Sequence, residues 1–330
     1  MPKIVRFHQT GGPEVLKIVE EALVQPKEGE VRIRVQALGL NRAEAMFRSG
    51  AYLEAPQLPS RLGYEAAGVV DAIGAGVSSV KVGDRVSTIP AFGLSAHGVY
   101  GESAIVPAFA VAAYPEHYTP EQGSAIWMQY FTAWLGLVER GELQKGQVAL
   151  ITAASSSVGL AAIQVAKAIG ATAIATTRKS DKKAKLLQAG ADHVVVTEQE
   201  DLLKRVSDIT GGKGANVIFD PIAGPIVETL AQAAAPGATL ISYGLLDMRP
   251  MPYPLFPALQ KGLWMHAFTL FECTAQPAAR ERAKRYVYEG LKSGTLKPIL
   301  DPKQFTLDQI VDAHRYLESN QQFGKIVVRV

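Results

Sequence analysis

The chain is poor in cysteine. Cys273 stands alone in 330 residues, which excludes an internal disulfide framework and any cysteine-built metal site, and fits a reducing compartment. Histidine is scattered over positions 8, 97, 117, 193, 266 and 314 with no pair four residues apart, a pattern that argues against a compact histidine-rich metal centre. Excess charge of one sign is lacking as well. The 34 basic and 31 acidic residues leave a net charge of +3, too little to argue for nucleic acid or a membrane surface as partner. Long apolar runs are also missing: the most apolar region, Val158 to Thr177, is interrupted by Gln164, Lys167 and Gly170 and falls short of a membrane span. The N-terminus runs from Met1-Pro2-Lys3 straight into Ile4-Val5, without the charged head and apolar stretch of a signal peptide. A soluble, cytoplasmic protein is expected. What remains is an ordinary globular balance, 48% hydrophobic and 20% charged, at a length that suggests two domains.

Two rhythms divide the chain. In the first part Val31, Ile33 and Val35 alternate with Arg32, Arg34 and Gln36, the period of a half-buried strand. Residues 65–73 and 84–89 read as further strands between Gly74, Gly76 and Gly83, and prolines mark short connections, so a small irregular β-domain is predicted. From about residue 127 strands and helices alternate. Apolar strands at 148–152, 171–177, 194–196, 217–220 and 238–243 are separated by helical patterns at 157–169, 180–189, 202–209 and 226–234. That order predicts a doubly wound α/β domain with a parallel sheet. Pro250, Pro252, Pro254 and Pro257 then suggest a linker or lid. A strand at 264–270, helices near 278–293 and 307–319, and a final strand at 326–330 follow. The last elements stand outside the alternating rhythm and are expected to return to the first domain.

The strongest local signal is Thr152-Ala153-Ala154-Ser155-Ser156-Ser157-Val158-Gly159, where a strand meets a helix. Small side chains let backbone approach a pyrophosphate, and the first N–H groups of the helix point at it. The glycine fingerprint of dinucleotide sites is not met; Ala154, Ser156 and Gly159 occupy comparable spacing. The same run would equally cap an ordinary strand–helix turn. The tip of the next strand reads Thr176-Thr177-Arg178-Lys179-Ser180, with Lys182, Lys183 and Lys185 beyond. An NAD site would place a carboxylate here for the ribose hydroxyl, whereas a 2′-phosphate needs hydroxyls and cations. Thr177, Arg178 and Lys182 therefore point to NADPH, and Lys183 and Lys185 to a solvated helix face.

These segments, with Phe7-His8-Gln9-Thr10-Gly11-Gly12-Pro13, Gly39-Leu40-Asn41, Arg48-Ser49-Gly50-Ala51-Tyr52, Gly63-Tyr64-Glu65-Ala66-Ala67-Gly68 and Gly83-Asp84-Arg85-Val86, carry a resemblance along essentially the whole chain. It resembles the medium-chain dehydrogenase/reductase superfamily, and within it the zinc-independent quinone oxidoreductases related to zeta-crystallin. The resemblance implies a GroES-like β-barrel catalytic domain from residues 1–126 and 269–330, and a Rossmann NADPH-binding domain from 127–268. Zinc-dependent relatives carry Gly-His-Glu where this chain has Gly63-Tyr64-Glu65, and a cysteine near Asn41, so no metal is implied. Without a Lewis acid, hydride goes to an activated acceptor, a quinone or an α,β-unsaturated carbonyl.

By the same resemblance Asn41 and Thr132 reach the nicotinamide, and Tyr52 and Tyr64 face the substrate, either one placed to donate a proton. Tyr64 serves equally well as packing in the vacated metal position. Ser155, Ser156, Ser157, Val158 and Gly159 cradle the pyrophosphate, while Tyr243, Gly244, Phe268 and Leu270 run past ribose and nicotinamide. Met46 stands where many such reductases carry a tyrosine. Lys325 reads best as a strand-edge charge, and Glu44 and Arg48, on one short segment, as partners of each other. A homodimer joined through the strand at 264–270 is expected. Two other functions fit the residues: a 2-enoyl thioester reductase, and a low-turnover NADPH-binding protein of crystallin or sensor type.

Overall fold

The computed structural model describes all 330 residues as two compact units, Met1–Met128 with Pro298–Val330, and Gln129–Lys297. No helix is long and apolar enough to cross a membrane.

The first unit is built on a seven-stranded sheet around the long strand Glu30–Gly39. Glu65–Ile73 pairs antiparallel along its length, Ser103–Pro107 along its first half, and Val327–Arg329 along its last residues. Irregularities at Arg32/Ile33 and Val35/Ala37 interrupt the register with Glu65–Ile73, and such bulges bend a strand. One strand thereby serves two neighbours on the same edge. The C-terminal strand thus returns to this sheet beside Asn41, the residue that caps the helix Arg42–Ser49.

The second unit holds a six-stranded sheet in the order His193–Val196, Thr172–Thr177, Val148–Ile151, Ala215–Asp220, Ala234–Ser242, Trp264–Ala267. Every pairing in it is parallel. Strand order reverses beside Val148–Ile151, and ligands bind α/β sheets at such switch points, outside the carboxyl ends of the strands. The expected doubly wound sheet is present.

Three details differ from expectation. The chain leaves the second unit at 297/298 rather than 268/269. The helix Pro277–Ser293 is tied within that unit by Arg282 to Glu139 (3.0 Å) and by Tyr286 against Trp134. Secondly, the proline-rich stretch contains a helix, Leu255–Lys261. Pro257 lies in its first turn, where no N–H has an intrahelical acceptor to lose. Thirdly, the strand Trp264–Ala267 stops before Phe268, and a short helix, Phe271–Thr274, follows.

His314, on the helix Ile310–Ser319, is wholly buried, edge-on to Tyr100 at 5.8 Å. Burial first, and then the charge of Arg48, pushes its pKa down to about 3. An unfolded histidine takes up a proton near pH 6.5, about 1.4 kcal/mol being lost per pH unit while only the unfolded state binds it. Stability should fall as pH drops through this window, until the folded pKa is reached. Urea midpoints of His314→Phe should show a flatter acid limb than the parent chain; an unchanged slope would contradict this assignment.

Candidate functional site

In the second unit the strand Val148–Ile151 delivers Thr152 to the turn, and Ala153 adopts a left-handed conformation at φ 45°. The chain reverses there with only methyl and hydroxymethyl side chains present. Ser156 caps the helix Ser157–Ile169, its Oγ accepting from the Gly159 N–H at 3.0 Å. The Ser157 and Val158 N–H groups belong to the first turn, which has no intrahelical acceptors. A Cβ on Gly159 would lie 2.6 Å from Ala154 Cα and 2.7 Å from its carbonyl oxygen. Helix and turn therefore close to backbone contact, and the resulting cradle fits a pyrophosphate.

Asp220 holds this turn from the neighbouring strand. It accepts from Thr152 Oγ1 through one oxygen and from the Ala223 N–H (2.8 Å) through the other. Desolvation raises its pKa against those hydrogen bonds. The Tyr243 ring stacks on Phe219 at 4.0 Å and runs nearly parallel to Phe268 at 6.5 Å. Its hydroxyl sits beside Ser156 and Asp220, and burial, reinforced by Asp220, keeps it protonated. Gly244 follows at the exposed end of this strand; Phe268 is buried and donates its N–H to the Ser242 carbonyl (3.2 Å). Leu270 is half-buried at the start of Phe271–Thr274, and Thr132 is buried on the helix Trp127–Trp134.

At the strand tip Thr177 is buried and donates its hydroxyl proton to the Lys179 carbonyl at 3.3 Å. Arg178 is exposed, and no ion pair engages its guanidinium. Lys182 reaches back to the turn, its Nζ 3.4 Å from Ser155 Oγ. Turn and basic tip thus converge through Ser155 and Lys182. Lys183 instead pairs with Glu200 at 3.8 Å, in keeping with its place on a solvated face.

In the first unit Asn41 is the N-cap of Arg42–Ser49; its backbone carbonyl, not its side chain, accepts from the Glu44 N–H (3.2 Å), and the Glu44 carboxylate reaches back to it. Glu44 is wholly buried. It accepts from the Asn41 N–H, from Asn41 Nδ2 (3.0 Å), from the Tyr64 N–H (3.0 Å) and from the Tyr100 hydroxyl (3.2 Å). Burial is the main cause that raises its pKa to about 7, opposed by the Lys325 charge and these donors. Tyr64 is buried beside Phe92, ring centroids 5.9 Å apart, and its hydroxyl faces that of the half-buried Tyr52. Both phenols are raised, burial first, so each stays a proton donor at neutral pH. The Tyr52 loop is braced by Glu54, whose carboxylate accepts from Leu94 N (3.0 Å) and Ser95 N (3.1 Å).

Asn41, Tyr52 and Tyr64 thus lie in the first unit, and the turn, the strand tip, Thr132, Tyr243, Gly244, Phe268 and Leu270 in the second. Two expectations are corrected. Glu44 and Arg48 do not pair: Arg48 donates to Glu318 at 2.6 Å. Lys325 is no strand-edge charge but is wholly buried, in an ion pair with Glu65. Its partners lie 260 and 284 residues away, so no local pattern announces them. Asp220 was not singled out at all, although an acid closing an apolar strand beside the turn was a usable signal. Nowhere do three His, Cys, Asp or Glu side chains gather as a metal site would need.

A parallel sheet with a phosphate-fitting turn at its switch point, in a chain of two compact units, defines a two-domain protein with a dinucleotide-binding fold. Residues 27–116 match the model of the alcohol dehydrogenase GroES-like domain, and residues 157–287 that of the zinc-binding dehydrogenase. The chain is 32% identical to quinone oxidoreductase 1 of Escherichia coli over 97% of both chains. It is 30% identical to human quinone oxidoreductase over 99% of this chain and 97% of that one. The crystal structure of E. coli quinone oxidoreductase complexed with NADPH superimposes with a TM-score of 0.92, at 31% identity, over 99% of this chain and 100% of that one. The chain belongs to the medium-chain dehydrogenase/reductase superfamily, in its zinc-independent quinone oxidoreductase branch.

Proposed function

We propose that the protein is an NADPH-dependent oxidoreductase that reduces a quinone or an α,β-unsaturated carbonyl. The observation that carries this reading is the strand tip Thr176-Thr177-Arg178-Lys179, which ends in hydroxyls and cations without a carboxylate, together with Lys182, whose Nζ lies 3.4 Å from Ser155 Oγ of the turn. That donor set fits a phosphate on the adenosine ribose. NADPH, when bound, supplies the hydride from nicotinamide C4. The protein's part is to hold and orient: Ser155–Gly159 would take the pyrophosphate, Tyr243, Gly244, Phe268 and Leu270 the ribose and nicotinamide sides, and Thr132 in the second unit and Asn41 in the first would each be a cofactor-side residue. Tyr52, the more exposed of the facing phenols, would protonate the reduced acceptor, and Tyr64 would orient it.

Tyr52→Phe tests this. Turnover of an enone should fall at least about 100-fold, the lower end of what a positioned proton donor contributes, while NADPH affinity stays unchanged. An unaltered rate would move the role to water. Faster turnover of an enoyl thioester than of any quinone would favour the thioester reductase reading.

We also propose a cytoplasmic homodimer. The lone thiol, Cys273, is buried and pushed up to about 11, mainly by burial, so it is inert and suited to a reducing compartment. Trp264–Ala267 is a sheet edge with Trp264 66% exposed, and Phe256 and Leu259 on the preceding helix are 78% and 74% exposed. An apolar edge of this kind supports pairing with a second copy. Light scattering of the intact chain should give twice the chain mass; a monomer at micromolar concentration would contradict it.

A further inference from the structure

Lys325 is buried to zero exposure at the end of a chain with ample surface for its charge. Its ammonium donates to Asn41 Oδ1 at 2.5 Å and forms an ion pair with Glu65. Backbone is cleared to admit it. A Cβ on Gly39 would lie 2.7 Å from Lys325 Cε and 2.0 Å from the Ser124 carbonyl oxygen. Gly324, just before the lysine, has φ +95°, and a Cβ there would meet the Ile299 carbonyl oxygen at 2.4 Å. Both positions require glycine, one for room and one for backbone conformation as well.

Stability alone does not call for this arrangement. Removing two ions from water costs several kcal/mol each, and apolar residues of equal volume often serve as well or better. What the ion pair does achieve is chemical definition. An ammonium can only donate, so the Asn41 atom facing it is the oxygen and the amide cannot flip. The Asn41 Nδ2 group has two hydrogens and three acceptors around it: Glu44 Oε1 at 3.0 Å, Glu65 Oε2 at 3.3 Å and the Gly39 carbonyl at 3.3 Å. Glu65 is itself fixed through its other oxygen, which accepts from the Met128 N–H at 2.9 Å.

We propose that Lys325 is a positioning residue that locks the Asn41 carboxamide, with both N–H groups withdrawn and only an Oδ1 lone pair offered to a ligand. Asn41 then meets the cofactor solely as an acceptor, from a hydroxyl or amide N–H, and cannot polarise the acceptor carbonyl. This deepens the reading of Asn41 as a cofactor-side residue and rests on it.

The chain has three asparagines, Asn41, Asn216 and Asn320, so isotope-labelled asparagine gives three resolvable carboxamide pairs, and Asn41→Ser assigns one of them. In the intact protein the Asn41 pair should exchange at least about a hundredfold more slowly than the exposed Asn320 pair, and should shift when NADPH is added. In the charge-balanced variant Lys325→Met/Glu65→Gln, this protection should fall at least about tenfold and NADPH affinity with it. Glu65→Gln alone keeps the Lys325 contact and should keep the lock. The proposal is overturned if the unmodified protein shows no Asn41 protection, a result that needs no variant to fold. It is equally overturned if the folded double variant keeps protection and affinity, or if Glu65→Gln alone loosens Asn41 as much as the double variant does. Protection without a shift on adding NADPH overturns the cofactor-side role. Quinone turnover by the intact protein is scored separately, so failure of the activity is told apart from failure of the lock.

Discussion

Gly159→Ala is expected to weaken NADPH binding about a hundredfold, the scale of loss that follows a displacement of about 1 Å in a positioned site. The added methyl would enter the space of Ala154 Cα, C and O, at 2.6–2.8 Å. Those are backbone atoms of the turn and cannot rotate aside. Either the turn lifts away from the helix or the helix start shifts, and both carry the Ser157 and Val158 N–H groups off the phosphate. The hydrogen bond from Gly159 N to Ser156 Oγ at 3.0 Å would be strained too, so the melting temperature should fall. Fluorescence titration with NADPH and a thermal melt read the two effects. A dissociation constant within about twofold of the parent, on a scale where each 1.4 kcal/mol is tenfold, would mean that the turn is not the phosphate cradle.

The second large effect concerns cofactor choice. Arg178→Ala/Lys182→Ala removes two cations, and with Lys182 its contact to Ser155 Oγ (3.4 Å), but leaves the backbone of the turn in place. Charge-assisted hydrogen bonds contribute about 1.5–3 kcal/mol each. Screening at the exposed Arg178 reduces its share, so the pair together should raise the NADPH dissociation constant about a hundredfold. NADH lacks the 2′-phosphate and should bind as before. The kcat/KM ratio of the two cofactors, measured with one quinone at fixed ionic strength, reads the difference. A ratio unchanged from the parent would place these lysine and arginine charges with the solvated face of Lys183.

Much of this was legible in the sequence, for physical reasons that stop at a definable point. Strands at 148–151 and 172–177 and the helix at 157–169 announce themselves because each buries a face with its own period. The small residues from Ala153 to Gly159 are legible because a local backbone need selects them. The basic tip is legible because its chemistry is written in consecutive residues. Lys325 is different. Burial of a lysine depends on partners that the fold brings from residues 41 and 65, and nothing beside residue 325 encodes them except Gly324. Glu44 and Arg48 failed for the complementary reason: their four-residue spacing favours a pair, but Tyr64, Tyr100 and Glu318 compete from a distance and win. The place where the chain leaves the second unit was missed because the helix Pro277–Ser293 looks the same in sequence whichever unit it packs on.

The central claim, hydride transfer from NADPH to a quinone without metal, is tested most directly by steady-state NADPH oxidation with p-benzoquinone. The enzyme should first be dialysed against a strong chelator and its metal content measured. Saturable turnover that survives chelation is expected, with NADPH preferred to NADH at least about tenfold in kcat/KM. Turnover that prefers NADH, or that vanishes on chelation and returns with zinc, would contradict it.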